Sequence, residues 1–110
     1  MTHKTESDKA VALFSAVPKA YNCAQAVAKA FNQDDMVMSL KTCGNGRAEG
    51  GLCGALYVAV CLLPEEKRER VKEQFKEMCG NVLCKAIRKE GKTSCVECVR
   101  IATELAAVSF

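Results

Sequence analysis

The chain has 110 residues, of which 49% are apolar and 26% charged, and its formal net charge at pH 7 is only +3. This length and apolar content predict a single domain, residues 1–110, whose core of packed helices needs no disulfide to fold. The mild basic excess has neither a nucleic-acid motif nor interleaved aromatic residues beside it, so we expect no nucleic-acid partner. The longest apolar run, Leu52–Leu63, is too short to span a bilayer, and the polar start of the chain has no signal region, so we expect no membrane partner.

The first half of the chain predicts three helices. Residues 1–6 are polar and predict a flexible tail. Apolar residues at helical spacing then predict one helix that ends at Pro18 and a second that begins after the cap residue Asn22. A short third helix is expected from Asp34, as its cap, to Leu40.

A glycine-rich loop separates these helices from the most apolar one. Residues 43–51 contain four glycines, which allow backbone amides to approach a bound group. We therefore take Gly44, Gly46 and Gly50 as candidate cofactor-binding residues, and a simple tight turn is the equal alternative. The run Cys53–Leu63 lacks polar alternation and predicts a helix buried on most sides.

A charged helix should follow Pro64 and run from Glu65 to about Met78. The spacing predicts that Val71, Phe75 and Met78 point inward. Gly80 is placed to end this helix.

Two further helices complete the predicted fold. Asn81 is expected to cap a short helix with Cys84 in its first turn, and the last helix should begin after Ser94. The last helix carries Cys95 and Cys98 on its apolar face, which predicts that both point at the core. With no convincing strand pattern, the sequence predicts an all-α, single-domain bundle of about five to seven helices.

Four of the eight cysteines stand where a helix is predicted to begin. Asn22 with Gln25, and Ser94 with Glu97, form capping-box patterns around two of them. Because a helix start carries unpaired N–H groups and the positive end of the helix dipole, we expect the thiolate form to be favoured there. These helix-start cysteines are Cys23, Cys53, Cys84 and Cys95.

Converging helix starts would place four sulfurs around one point, which is a site for an iron–sulfur cluster or for zinc. We expect the helix-start cysteines to be metal ligands, most simply of a [2Fe–2S] cluster. Haem is excluded, because the only histidine is His3 and Val99, not histidine, follows Cys98. Zinc is disfavoured because the chain has one CxxC spacing rather than two.

Two alternative roles for the cysteines stay open. The same sulfurs could cycle between dithiol and disulfide, with Cys98 as a resolving thiol for Cys95. Alternatively, the protein is a metal-free helical interaction module whose cysteines fill space. Cys61 and Cys79 are interpreted as residues that fill the core. For Cys43 and Cys98 the sequence does not decide between a packing role and a functional role.

Four segments together resemble a known redox-active family, named for its C-GCAxxG-C-C cysteine pattern. The resemblance runs from about Tyr21 to Leu105, and Val58 departs from it by replacing the second glycine of the motif. It implies a small helical domain with four characteristic cysteines, which match the helix-start cysteines. The domain is also similar to that of split-Soret-type cytochromes, which favours an iron–sulfur cluster. The segments are Asn22–Val27, Gly50–Ala55, Gly80–Cys84 and Cys95–Arg100.

The sequence thus predicts a small redox protein that transfers electrons through an iron–sulfur cluster. Its redox partner protein is unknown, and a homodimer is compatible with the sequence. We expect a cytoplasmic location, because clustered cysteines in reducing compartments hold metals or change redox state more often than they form structural disulfides. No substrate site or nucleophile–base pair is recognisable, so an enzymatic activity is left open.

Overall fold

A computed structural model describes residues 2–15, 21–41 and 49–109. In these ranges the protein is an all-α bundle, as predicted, and the one extended pairing is an isolated antiparallel bridge between Leu52 and Leu83. No helix in the described ranges combines the length and apolar character needed to cross a membrane. The helices are α1 Thr2–Phe14, α2 Cys23–Ala30, α3 Asp34–Val37, α4 Gly54–Cys61, α5 Glu65–Cys79, α6 Cys84–Glu90 and α7 Cys95–Ser109, with a 3-10 turn at Glu49–Gly51.

The capping residues begin two of the helices as the sequence predicts. Asn22 Oδ1 accepts a hydrogen bond from the Gln25 N–H at 2.7 Å, and Gln25 Oε1 accepts one from the Asn22 N–H at 3.0 Å, which forms a complete capping box before α2. At α7, Ser94 Oγ accepts from the Glu97 N–H at 3.2 Å. Local sequence therefore determines where these two helices start.

The core lies where α4 and α7 meet the other long helices. The helix α7 packs against α1, α4 and α5, while α4 also packs against α2. Fully buried Leu56, Phe75 and Val99 come from α4, α5 and α7 respectively. The prediction that the apolar helix is buried on most sides is confirmed, since Gly54–Leu56 and Val58–Val60 are all buried.

The interpretation of Cys61 as a core residue is wrong. This cysteine was expected to fill the core, but it is exposed. Tyr57, one turn earlier, is only half-buried, so the two residues share the single face of α4 that turns away from the core. A segment without polar residues gives no sign of which face points outward.

The buried face of α5 differs from the predicted one by a single residue. Val71 and Phe75 are buried as expected, but Met78 is 54% exposed and Cys79 is buried in its place. Positions 71, 75 and 79 are spaced by four residues and lie along one stripe of the helix. Cys79 therefore lies inside the bundle, which confirms its interpretation as a core residue.

Two other boundaries differ from the predictions. The helix α1 begins at Thr2, so the described residues of the segment predicted to be a flexible tail lie in a helix. This helix contains Ser7, which is buried. The spacing of apolar residues cannot predict that a polar residue is buried. The helix α3 is shorter than expected, because it ends at Val37 and Gln33 occupies its cap position ahead of Asp34.

Candidate functional site

All four helix-start cysteines lie at the beginnings of helices in the structure. Cys23, Cys84 and Cys95 are the first residues of α2, α6 and α7, and Cys53 is the cap residue of α4. Cys53 and Cys84 are buried, whereas Cys23 and Cys95 are partly exposed. The Asn81 cap that was expected for α6 is replaced: Leu83 is the cap residue, and Asn81 Oδ1 accepts from the N–H groups of the next two residues.

Interactions between neighbouring cysteines connect a row of four sulfurs that come from separate elements of the fold. Cys23 interacts with Cys53, Cys53 with Cys98, and Cys98 with Cys79. The row runs from partly exposed Cys23 to three sulfurs whose residues are 5% exposed or less. We call Cys23, Cys53, Cys98 and Cys79 the thiol row.

The other two helix-start cysteines lie beside the row. Cys84 interacts electrostatically with Cys23 and with Cys95. Arg88, one turn into α6, donates from Nη2 to Cys95 Sγ at 4.0 Å and also interacts electrostatically with Cys84. The predicted ligands therefore belong to one network of interacting sulfurs.

The arrangement is not a closed metal site. In the part of the chain that the structure describes, no three His, Cys, Asp or Glu side chains form a group that could hold a metal ion. The chemistry of the helix-start cysteines suits iron and sulfide, since all are thiols.

Backbone hydrogen bonds hold Cys53 against the start of α6. The Cys53 N–H donates to the Val82 carbonyl oxygen at 2.9 Å, next to the Leu52–Leu83 bridge. This short antiparallel contact ties the beginning of α4 to the beginning of α6. It keeps Cys53 and Cys84 on the same side of the bundle although a long helix separates them in sequence.

Side-chain hydrogen bonds hold Cys23 in a similar way. Asn22 Nδ2 donates to the carbonyl oxygens of Leu40 and Lys41 at 3.0 and 3.1 Å, and Gln25 Nε2 donates to the Val37 oxygen at 2.8 Å. The capping residues of α2 thus also bind the segment around α3. Cys23 is thereby fixed at a helix start that is anchored to a second element.

The electrostatics of the thiol row correct the expectation that helix starts favour thiolates. The hydrogen bond that Cys23 donates to Cys53 raises the pKa of Cys23, and burial raises it further. Backbone N–H groups at the starts of α2 and α4, from Ala24 and Ala55, act in the opposite direction but do not compensate. At Cys84, burial raises the pKa. The neighbouring thiol together with burial therefore outweighs the helix N-terminus at Cys23, and burial alone does so at Cys84.

The pKa values of the three inner cysteines are not all shifted in the same direction. The bond that Cys53 accepts from Cys23 lowers its pKa, but donation to Cys98 and burial bring the pKa to about 12. Cys98 also has a pKa of about 12, because donation to Cys79 and burial outweigh the bond accepted from Cys53. The hydrogen bond from Cys98 lowers the pKa of Cys79, which ends the row as an acceptor.

The glycine-loop prediction is only partly within the described residues. Gly44, Gly46 and Cys43 lie outside them. Gly50 is described: its φ is +70°, and a Cβ added to it would meet no atom within 4 Å. The glycine there suits a left-handed backbone conformation rather than a close approach to another described group.

Sequence reasoning missed the inner half of the thiol row. Cys98 lies on the apolar stripe of α7, and Cys79 lies four residues after Phe75 on the buried stripe of α5. Those two stripes face each other because α5 packs against α7. The predictions that Cys98 points at the core and that Cys79 fills it are confirmed, but spacing alone could not show that the two sulfurs interact.

Comparisons with known proteins provide no relative from which a role could be transferred. No protein-family model, no curated protein and no solved structure matches the chain. The functional argument consequently rests on the cysteines themselves.

Proposed function

We propose that this chain is a small thiol-based redox protein in which Cys23 and Cys53 alternate between a dithiol and a disulfide. The observation that supports this most directly is the interaction between their sulfurs, which come from the starts of two different helices. Disulfide formation requires two sulfurs in direct reach on backbones that are held in place. The hydrogen bonds at Asn22 and Val82 supply that support.

The exposure of the pair suits exchange with another molecule. Cys23 is partly exposed and Cys53 is buried, so an external disulfide reaches Cys23 first. Because the pKa of Cys23 is raised, its thiol must first release its proton. Cys23 Sγ then attacks one sulfur of that disulfide and releases the other as a thiolate. Cys53, as thiolate, then attacks Cys23 Sγ and expels the remaining partner thiolate. The two electrons lost by the cysteine pair reduce the partner disulfide, and the two thiol protons pass to the leaving thiolates.

Rapid trapping of the first disulfide tests the proposal. The reduced protein is mixed with oxidised glutathione without oxygen, quenched with acid at short intervals, and mapped by peptide mass spectrometry. We expect Cys23–Cys53 to be the first internal cross-link, with a transient glutathione adduct on Cys23. The exposed cysteine at the end of α4 provides the matched control, so Cys61→Ala should leave this cross-link unchanged and Cys23→Ala should abolish it.

Two results would contradict the proposal. The first is that Cys23 and Cys53 are never cross-linked at any interval while Cys61 readily takes up glutathione. The second is that the Cys23→Ala variant forms internal disulfides as fast as the unmodified chain. Either result would favour the metal-free interaction module, in which the sulfurs serve only as packing groups.

A second candidate is an iron–sulfur cluster bound by the helix-start cysteines. Two observations favour it: the four sulfurs interact within one network, and the Ala55 and Leu56 N–H groups at the start of α4 point at Cys23 and Cys53. Such N–H groups would stabilise an anionic cluster. This candidate ranks second because, among the described residues, no three such side chains form a group that could hold a metal ion.

Anaerobic reconstitution separates the two candidates. The protein is incubated with ferrous iron, sulfide and reductant, desalted, and analysed for iron, sulfide and visible absorption. Cluster binding predicts iron that Cys84→Ser and Cys95→Ser each remove, whereas Cys61→Ser retains it. Background iron in the unmodified chain would exclude the cluster and leave the dithiol proposal intact.

From the proposed dithiol chemistry we also infer a cellular location and a class of redox partner. A thiol pair that must return to its reduced form suits a reducing compartment, so we propose the cytoplasm. The partner is then a protein or small molecule that presents a disulfide or a dithiol. Neither requirement involves nucleic acid or a membrane.

A further inference from the structure

We propose that the exposed basic face of α6 is a docking surface for small anionic disulfides, in which the disulfide carries carboxylate groups. The inference rests on the proposed dithiol–disulfide function and names the class of substrate that would oxidise Cys23. The basic face consists of four exposed side chains, Lys85, Arg88, Lys89 and Lys92.

The first argument is that little negative charge offsets the basic face. Glu90 is the one acidic residue of α6, and its carboxylate lies close to Gly80, where an added Cβ would be 2.5 Å from Glu90 Oε1. No ion pair joins Lys85, Lys89 or Lys92 to a carboxylate of a described residue. The positive charge of these lysines is therefore free to attract an anion from outside the protein.

The second argument is the position of the basic face beside sulfur atoms. Arg88 Nη2 donates to Cys95 Sγ at 4.0 Å, and Cys95 is partly exposed. Cys84 is the first residue of the helix that carries the basic face, and it lies on the buried side of that helix. The cations of α6 thus lie next to thiols rather than on a remote surface.

Backbone contacts connect the basic face to the proposed redox pair. The Cys53 N–H donates to the Val82 carbonyl oxygen at 2.9 Å, and Lys85 follows this contact by three residues. The helix that begins at Cys23, α2, packs against α4. The basic face therefore lies at the end of α4 that carries Cys53, and not at the end that carries Cys61.

The third argument favours a small molecule over a protein as the occupant. A stable protein interface buries about 800 Å² on each partner around an apolar centre. Among the large apolar side chains that are exposed in the described residues, only Leu83 belongs to the segment that begins α6. The helix has seven residues, or about 10 Å, which matches the length of an extended tripeptide.

Oxidation rates with disulfides of different charge test the proposal. The reduced protein is mixed without oxygen with anionic oxidised glutathione, neutral hydroxyethyl disulfide or cationic cystamine, and acid-quenched samples are mapped by peptide mass spectrometry. Each rate at Cys23 is divided by the rate at Cys61, which is exposed at the far end of α4 and corrects for the intrinsic reactivity of the disulfide.

The expected result is a preference for the anionic disulfide that depends on salt. At about 0.01 M salt, the ratio of the Cys23 rate to the Cys61 rate should be roughly tenfold higher for oxidised glutathione than for cystamine. Near 1 M salt the preference should disappear, because charges are then screened beyond about 3 Å.

Charge reversal on α6 shows whether the basic face causes this preference. Lys85→Glu should lower the ratio for oxidised glutathione about threefold at low salt, and adding Lys89→Glu should lower it about tenfold. Arg70→Glu is the matched control, because Arg70 is exposed on α5 about 15 Å of helix before its end, and it should leave the ratio unchanged. The neutral disulfide should react equally with all of these proteins, and far-ultraviolet circular dichroism checks their folding.

The outcomes separate the docking surface from the function on which it rests. If none of the three disulfides yields a Cys23–Cys53 cross-link, both proposals are overturned. If the cross-link forms but the ratio is the same for all three disulfides, the docking surface alone is overturned, and an acidic protein becomes the alternative occupant of the basic face. Equal slowing of the neutral and the anionic disulfide by Lys85→Glu also overturns the docking surface, because the thiol itself would then have changed.

Discussion

The reduced protein should lose stability above about pH 9, and this loss should originate in the thiol row. Cys53 and Cys98 each have a pKa of about 12 in the folded protein, compared with 9.0 for an ordinary thiol. Between these values the folded state keeps a proton that the unfolded chain releases. The stabilisation is therefore complete below pH 9 and is lost as the pH rises toward 12.

The size of the loss follows from the pKa difference. Each unit corresponds to about 1.4 kcal/mol, so one such thiol should lower the free energy of unfolding by about 3 kcal/mol between about pH 9 and pH 11. Cys53 and Cys98 interact and titrate together, so the value for one thiol is the expected loss from this pair, and the raised pKa of Cys23 adds to it. A loss of this size is a large part of the roughly 5–15 kcal/mol that stabilises an ordinary domain.

Urea unfolding under argon, with a phosphine reductant, measures the effect across this pH range. Cys98→Ala removes one of the two thiols and should make the fall in unfolding free energy shallower. Cys61→Ala replaces an exposed cysteine outside the row and should keep the slope of the unmodified chain. Titrating lysines and tyrosines are common to all three proteins and cancel in the comparison. Equal slopes in Cys98→Ala and the unmodified chain would refute the reasoning.

Three substitutions test the packing that positions the site, each by urea unfolding near neutral pH. Phe75→Ala should cost about 3–5 kcal/mol because Phe75 is fully buried, whereas exposed Met78→Ala should stay within about 0.5 kcal/mol; similar costs would contradict the assigned helix face. Asn22→Ala removes the cap of α2 and should cost about 1–2 kcal/mol, and no loss would show that the capping box contributes little. Gly80→Ala should cost about 1–2 kcal/mol, because φ is +91° and the new Cβ would lie 2.5 Å from Glu90 Oε1; an unchanged stability would contradict this backbone conformation.

The local predictions succeeded where the signal was local. The capping box at Asn22, the end of α5 at Gly80 and the starts of four helices at cysteines all depend on residues within a few positions of one another. The errors arose where burial decides between neighbouring positions. Met78 and Cys79 are adjacent in sequence, and only the packing of α5 against α7 determines which of them is inside.

The chemistry of the candidate site shows the same division. The positive end of a helix favours a thiolate, which is why the sequence predicts activated sulfurs at Cys23, Cys53 and Cys84. The folded protein raises all three pKa values, because neighbouring thiols and burial outweigh the backbone N–H groups. No local pattern contains that information, since the neighbouring sulfurs come from distant parts of the chain.

The sequence alone thus determined the helical class of the protein and which cysteines begin helices, because helical periodicity and capping act over a few residues. Only the tertiary structure decided which sulfurs meet. The row from Cys23 through Cys53 and Cys98 to Cys79 exists because α2, α4 and α5 pack against α7 and the Leu52–Leu83 bridge holds the start of α4. Such contacts between residues far apart in sequence depend on the complementary shapes of buried surfaces, which no short segment specifies by itself.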